Sequence, residues 1–215
     1  MMTKSLVERL LEKALLDTFI ANEFECTRYS PLQFKRRFEG GFESCIFALT
    51  ENKGKFWIEL SFGLRIDDIE LLANQFTFIL KPYQEETHTI MTSYGRMINQ
   101  NYFRYKVSNE AEIEKAASTF RSFLEQEGFD FLQSHHSVKH LDELINNEPT
   151  DTSKFIYNAS HRCLKGIIIA KMSQNPKFSQ LAQLYHQELQ KTVMGERVLP
   201  GYKRLVTHLA AFSLN

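Results

Sequence analysis

The sequence predicts an α+β fold, with an N-terminal helix and an antiparallel β-meander sheet followed by a helical C-terminal half. Three observations lead there. Apolar residues recur at helical spacing from Ser5 to about Asn22, the period drops to two between Leu32 and Leu64, and helical spacing returns from Asn109 onward.

Ser5 and Glu8 stand at capping-box spacing, and Leu6, Leu10 and Ala14, with Val7, Leu11 and Leu15 beside them, form a stripe wide enough to need a partner surface. A sheet is the expected partner. From Leu32 to Phe38, Leu32, Phe34 and Phe38 share one face while Gln33, Lys35 and Arg37 share the other, the pattern of a half-buried strand. Gly40-Gly41 suits a tight hairpin, the chain returns through Phe42 to Leu49, and Asn52-Lys53-Gly54 marks the next turn. Phe56, Ile58, Leu60, Phe62 and Leu64 then line one face of the most regular strand and complete a three-stranded meander.

Asp67 and Asp68 favour a helix start before the short stripe Ile69, Leu72, Ala73 and Phe76, and Pro82 ends the apolar run that follows. His88 to Tyr94 and Tyr102 to Val107 are rich in β-branched and aromatic residues and read as two more strands. Farther on, Asn109 and Glu112 form an N-cap pair, Ile113, Ala117, Phe120 and Leu124 a stripe, and Gly128 a C-terminal cap. Helices are expected from Ser137 to Asn146, Ser153 to Ser173, Pro176 to Lys191 and Tyr202 to Ser213, with turn formers clustered over 146–152 as a linker. The 215 residues are expected to make a single compact unit, β-rich with covering helices over 1–107 and helical over 108–215.

Basic and acidic residues balance at 26 each, so no net field draws in nucleic acid, an anionic membrane or an acidic partner. Cys26, Cys45 and Cys163 are odd in number and far apart, which suits reduced thiols of a cytoplasmic protein better than a disulfide framework or a metal knuckle. Glu8, Arg9, Glu12 and Lys13 fall where a signal peptide needs an apolar run, which argues against secretion. The most apolar stretch, Gly166 to Ala170, is bracketed by Lys165 and Lys171 and is far shorter than the roughly 20 residues of a membrane span. No membrane partner is expected.

His135, His136 and His140 are the first place to look for a metal, because His136 and His140 stand at i, i+4 and would project from one helical face near Asp142 and Glu143. Between them lie Ser137, Val138 and Lys139, without the glutamate of a hydrolytic His-Glu-x-x-His motif, and the competing expectation is an exposed capping cluster. Arg65, Asp67 and Asp68 sit at a strand-to-helix junction, a place where polar side chains converge on ligands. The competing expectation there is an ion pair that complements the helix dipole. Trp57, the one tryptophan, shares its strand face with Glu59, Ser61 and Gly63 and meets either a partner or a covering helix. Lys35, Arg36 and Arg37, with Arg28 and Tyr29 upstream, combine cations and aromatics as a contact to a phosphate backbone would. Alternation sends Phe34 and Phe38 inward, however, and a pI of 7.1 argues further against nucleic acid. Gly-x-Ser-x-Gly, Gly-x-Gly-x-x-Gly and phosphate-loop patterns are missing, and no cofactor is implied.

The leading helix, the Phe34-Lys35-Arg36-Arg37-Phe38 strand, the Phe56-Trp57-Ile58-Glu59-Leu60-Ser61-Phe62-Gly63 strand and the helical tail together resemble uncharacterised bacterial α+β families, some of them immunity-like or accessory proteins. The resemblance is one of layout over most of the chain and carries no catalytic residue across. It implies a binding protein; together with the missing catalytic motifs, it makes a non-enzymatic protein of the bacterial cytosol that binds another protein the leading expectation. Two further functions stand as expectations: an enzyme with a dispersed polar site, metal-assisted through His136 and His140, and nucleic-acid binding through Lys35 to Arg37.

Overall fold

The structure is a computed structural model that describes residues 2–28 and 30–211, and of Arg28 the backbone alone. In chain order its elements are α1 (Lys4–Ala21), β1 (Glu25–Arg28), β2 (Leu32–Phe38), β3 (Gly41–Asn52), β4 (Lys55–Ile66), α2 (Asp67–Asn74), α3 (Lys81–Gln84), β5 (Ile90–Ser93) and α4 (Tyr94–Met97). They continue with β6 (Tyr105–Val107), α5 (Glu110–Phe123), α6 (Phe129–Ser134), α7 (Val138–Asn146), α8 (Ala159–Met172), α9 (Phe178–Gln190) and α10 (Gly195–Ala211). An N-terminal helix, an antiparallel sheet and a run of C-terminal helices make this an α+β protein. The chain divides into two compact units, Met1–Leu64 with Met91–Gln133, and Arg65–Ile90 with Ser134–Asn215.

The first unit is built on the sheet. Six strands run in the order β1-β2-β3-β4-β5, with β6 also paired to β4, so two short strands extend the expected meander on its far side and β1 extends it on the near side. Lys53 and Gly54 both take positive φ, 51° and 74°, which matches the twist of the two-residue β3–β4 hairpin. At the β2–β3 hairpin only Gly40 does so, at 84°, and Gly41 already pairs with Phe38, so the turn is Glu39-Gly40 and not Gly40-Gly41. The core is aromatic. Phe19 of α1 stacks on Phe34 of β2 with ring centroids 3.9 Å apart, and Phe24, Phe47 and Phe129 close around Phe19. Phe47 meets Phe120 at 5.7 Å, which joins this group to a second one made by Tyr94, Phe103, Tyr105 and Phe123.

Several boundaries differ from the sequence expectation for identifiable reasons. Thr3, not Ser5, caps α1: its backbone is extended and its hydroxyl accepts the Leu6 N–H at 3.2 Å. Glu8, expected in a capping box, is buried and accepts hydrogen bonds from Ser30 Oγ at 3.1 and 3.2 Å. Pro82 opens the short helix α3 instead of ending a run, as a first-turn proline can because its missing N–H has no helical partner there. Gly128 does not cap a helix. One turn of π-helix, Leu124–Gly128, carries α5 directly into α6, and a Cβ at Gly128 would meet Leu124 Cδ2 at 2.9 Å. α8 starts later than expected because Ser153 Oγ accepts from the Phe155 and Ile156 N–H groups in a local turn, leaving Asn158 to cap the helix. α10 starts earlier and runs through Pro200, with Val198 and Tyr202 buried on either side of it; the expected end at Ser213 lies outside the described residues.

The second unit is organised around α8, which packs against α2, α7, α9 and α10. Gly166 lets the Tyr185 ring lie on the helix backbone, since a Cβ there would stand 2.6 Å from Tyr185 Oη. That hydroxyl donates to Asn146 Oδ1 at 2.5 Å, and Asn146 Nδ2 in turn donates to the Gly166 carbonyl at 3.0 Å and to Asp142 Oδ1 at 2.6 Å. The expected linker is stapled within this unit by buried Arg162, whose guanidinium donates to the carbonyls of Ile145 at 3.2 Å, Glu148 at 2.6 Å and Asp151.

Gly166→Ala forces Tyr185 off its site and strains this network. Overpacking of this kind costs about 1–3 kcal/mol. Urea unfolding of the variant should show that loss, because the new methyl meets both the hydroxyl and two ring carbons of Tyr185.

Candidate functional site

The strand-to-helix junction is a structural staple. Arg65 is buried, and its Nε donates to Asp67 Oδ1 at 2.5 Å while Nη1 donates to Gln84 O at 2.8 Å, Thr87 O at 3.1 Å and Thr87 Oγ1 at 2.7 Å. Asn74 Nδ2 reaches the same two residues at 3.3 Å, so the guanidinium spends its donors on holding the loop after α3. Asp68 is exposed in the first turn of α2, next to the helix N-terminus.

The histidines do not share a helical face. His136 lies in the turn before α7, whose cap is Ser137, while His140 is in the first turn of α7 with its Nδ1 2.7 Å from Ser134 O. Helical i, i+4 geometry therefore fails at its first member. Among the described residues no group of three or more His, Cys, Asp or Glu is placed to hold a metal ion.

The basic strand also changes character. Lys35 is 5% exposed with Nζ 4.2 Å from the centre of the Phe42 ring, and Arg36 is tied to buried Glu43 at 2.8 Å. Arg37 alone of the three is exposed, and Tyr29 lies outside the described residues. Sequence alternation placed Lys35 in solvent; a long side chain can instead lay its stem and charge along an aromatic ring.

Trp57 is half-buried on the sheet face opposite the Phe56–Leu64 stripe, as the period-two pattern requires. It lines an open hollow of about 330 Å³ with Thr50, Asn52, Tyr102 and Arg104, all from the first unit.

A hollow in the second unit had no sequence signal. It measures about 230 Å³ and is formed by residues 76–79, the start of α8 and the start of α10. Its walls are Phe76, Phe78, Ile79, Leu164, Met194 and Val198, with Thr77, Asn158, Ser160 and His161 as the polar part. Large apolar side chains stand exposed in the same segments: Phe78 at 57%, Leu80 at 67%, Met194 at 45% and Val193 wholly. Arg197 covers one side of Phe78, with its guanidinium carbon 4.3 Å from the ring centre. The run Phe76-Thr77-Phe78-Ile79-Leu80 is apolar in sequence, but neither period marks which of its side chains are left uncovered. A larger groove between α9 and α10, about 460 Å³, is lined by Ala182, Tyr202 and Val206 together with Gln183, His186, Gln187, Lys203 and Thr207.

Beside the hollow, burial pushes the His161 pKa down, and the Lys165 charge lowers it further against an opposing pull from Glu70. Lys165 and Glu70 form a buried ion pair, Nζ 2.9 Å from Oε1, and Nζ also donates to the His88 carbonyl. Burial likewise raises the Cys163 thiol to about 12, too high for a thiolate nucleophile at neutral pH.

Two outcomes follow for stability. Lys165→Met leaves Glu70 as an unpaired buried charge and should cost about 3–5 kcal/mol in denaturant titration, while Lys165→Met with Glu70→Leu should cost less than the single change. For His161, the unfolded state binds the proton more readily than the folded state, so its contribution is complete above the ordinary pKa of 6.5 and is lost as pH falls from there through the lower pKa of the folded state. His161→Leu should flatten that part of the stability profile between neutral and mildly acid pH.

No protein-family model, no curated protein and no solved structure matches this chain.

Proposed function

We propose that this chain is a non-enzymatic protein-binding protein of the bacterial cytoplasm, and that the hollow of its second unit seats an apolar anchor of the partner. One observation carries the reading: an apolar hollow is lined by exposed Phe78 and Met194, and Leu80 and Val193, next in sequence to lining residues Ile79 and Met194, are exposed as well. Contiguous exposed apolar surface is costly to keep in water and marks interaction sites. Its volume, about 230 Å³, lies below the usual range of roughly 300–1,000 Å³ for small-molecule sites, which suits one large side chain of a partner inserted as a hot-spot anchor.

The lining supports recognition over reaction. His161 is the one titratable side chain among the residues that line the hollow, so no acid–base pair meets an occupant there. Ser160 is its neighbour in sequence, but adjacent helical residues point in different directions and do not make a nucleophile–base pair. Cys26, Cys45 and Cys163 are in no disulfide, which agrees with a reducing compartment, and the resemblance in layout to immunity-like and accessory families points the same way.

The test is selection of peptides from a random displayed library against the purified chain. Selected peptides should share a large aromatic or aliphatic residue, and Phe78→Asp or Met194→Asp should weaken them at least tenfold, about 1.4 kcal/mol, with the unfolding midpoint unchanged. Peptides that ignore both substitutions would overturn the proposal, as would a selection that yields no binder.

A further inference from the structure

We infer that the first unit carries a separate recognition surface, the Trp57 hollow, for an acidic segment of another protein. Trp57 and Lys106 are cross-strand partners on β4 and β6, and Lys106 Nζ stands 5.5 Å from the indole centre. Tyr102, in the turn before β6, is 94% exposed, an unusual state for so large a ring. Tryptophan, tyrosine and arginine are the residues that dominate binding energy at protein interfaces, and here Trp57, Tyr102 and Arg104 line one concavity.

Charge sets the kind of partner. Segments 50–59 and 102–106, which supply the hollow, carry four basic residues, Lys53, Lys55, Arg104 and Lys106, and two acidic ones, Glu51 and Glu59, in a chain whose net charge is zero. Glu59 is spent on Arg104 Nε at 2.8 Å. Glu112 is close enough to Lys55 to feel its charge, but its Oε2 is held by the Ser108 N–H at 2.6 Å and Oγ at 2.8 Å. The excess is therefore positive around an aromatic floor, which complements carboxylates. Thr50 and Asn52 add hydroxyl and amide groups at the rim, suited to an extended peptide backbone. A nucleic-acid base would need the open face of the indole, and Lys106 stands over it. This favours an acidic peptide segment over a single-stranded nucleic acid.

Trp57 is the only tryptophan, so its fluorescence reports on this hollow without a label. The full chain is titrated with a short polyglutamate peptide, a short polylysine peptide and a short oligothymidylate, each at low and at physiological salt. Polyglutamate should change the Trp57 emission saturably and polylysine should not, and added salt should weaken the effect. Lys106→Glu and Tyr102→Ala should each weaken polyglutamate at least about fivefold; Tyr102 is so exposed that its removal leaves folding intact. Phe78→Asp should leave this titration unchanged, so its failure is separate from any failure of the hollow in the second unit. The inference is overturned if polyglutamate gives no saturable change at low salt, if neither substitution weakens it, or if oligothymidylate binds more tightly.

Discussion

A strand with one buried face must commit each side chain to one side of the sheet, and β4 makes that commitment along nearly its whole length. Phe56, Ile58, Leu60, Phe62 and Leu64 are all essentially inaccessible, while Trp57, Glu59 and Ser61 between them are partly exposed. A slip of one residue would exchange the two sets and put five large apolar side chains in water, roughly 1.5–3 kcal/mol each. Register is thus fixed by burial, and β3, β5 and β6 inherit it by pairing with β4. The same constraint leaves Trp57 on the outer face: an aromatic that cannot enter the core without breaking the register is available for recognition.

The second unit obeys a different constraint. α8 is buried from Arg162 to Ala170 on all sides, so every polar group it carries must find a partner inside the protein. Arg162 does so through Nη1 and Nη2, with carbonyls at the end of α7 and in the loop after it, although its buried Nε has no hydrogen-bond partner among the described residues; Lys165 does so with Glu70 and the His88 carbonyl. Gly166 does it by omission: without a side chain its carbonyl reaches the Asn146 amide while Tyr185 covers the helix. These polar groups define one arrangement of α7, α8 and α9 more sharply than apolar packing alone, since a misplaced neighbour would strand a buried charge or amide.

Sequence patterning captured what depends on one face being buried. The bounds of β2, the β4 stripe, the Asn109 cap of α5 and the extent of α7 all follow from a local period or a local hydrogen bond. It missed what depends on partners distant in the chain. Ser5 and Thr3 are both good capping residues by type, and the backbone that makes Thr3 the cap is not encoded in its identity. Lys35 looks like a solvated cation until Phe42 is placed beside it, and Lys165 looks like a charged boundary to an apolar stretch until α2 supplies Glu70. His136 and His140 have helical spacing, yet the helix begins between them. Among the candidate sites, the half-exposed position of Trp57 was legible from alternation. The hollow was not, because it is defined by three segments separated by up to about 120 residues and by which apolar side chains remain uncovered.

On the proposed reading, an apolar hollow with one histidine at its polar end serves discrimination. Lys165 and Glu70, the two charges that act on His161, neutralise each other out of solvent. Discrimination asks only that the right occupant displace water from apolar walls and that a wrong one leave a polar group unpaired. On that reading His161 is the polar group to be matched: its lowered pKa favours the uncharged ring, and an occupant that leaves the ring nitrogens unpaired loses affinity. The lining, on the same reading, selects bulk through its apolar walls, as an anchor site for an aromatic or aliphatic side chain would.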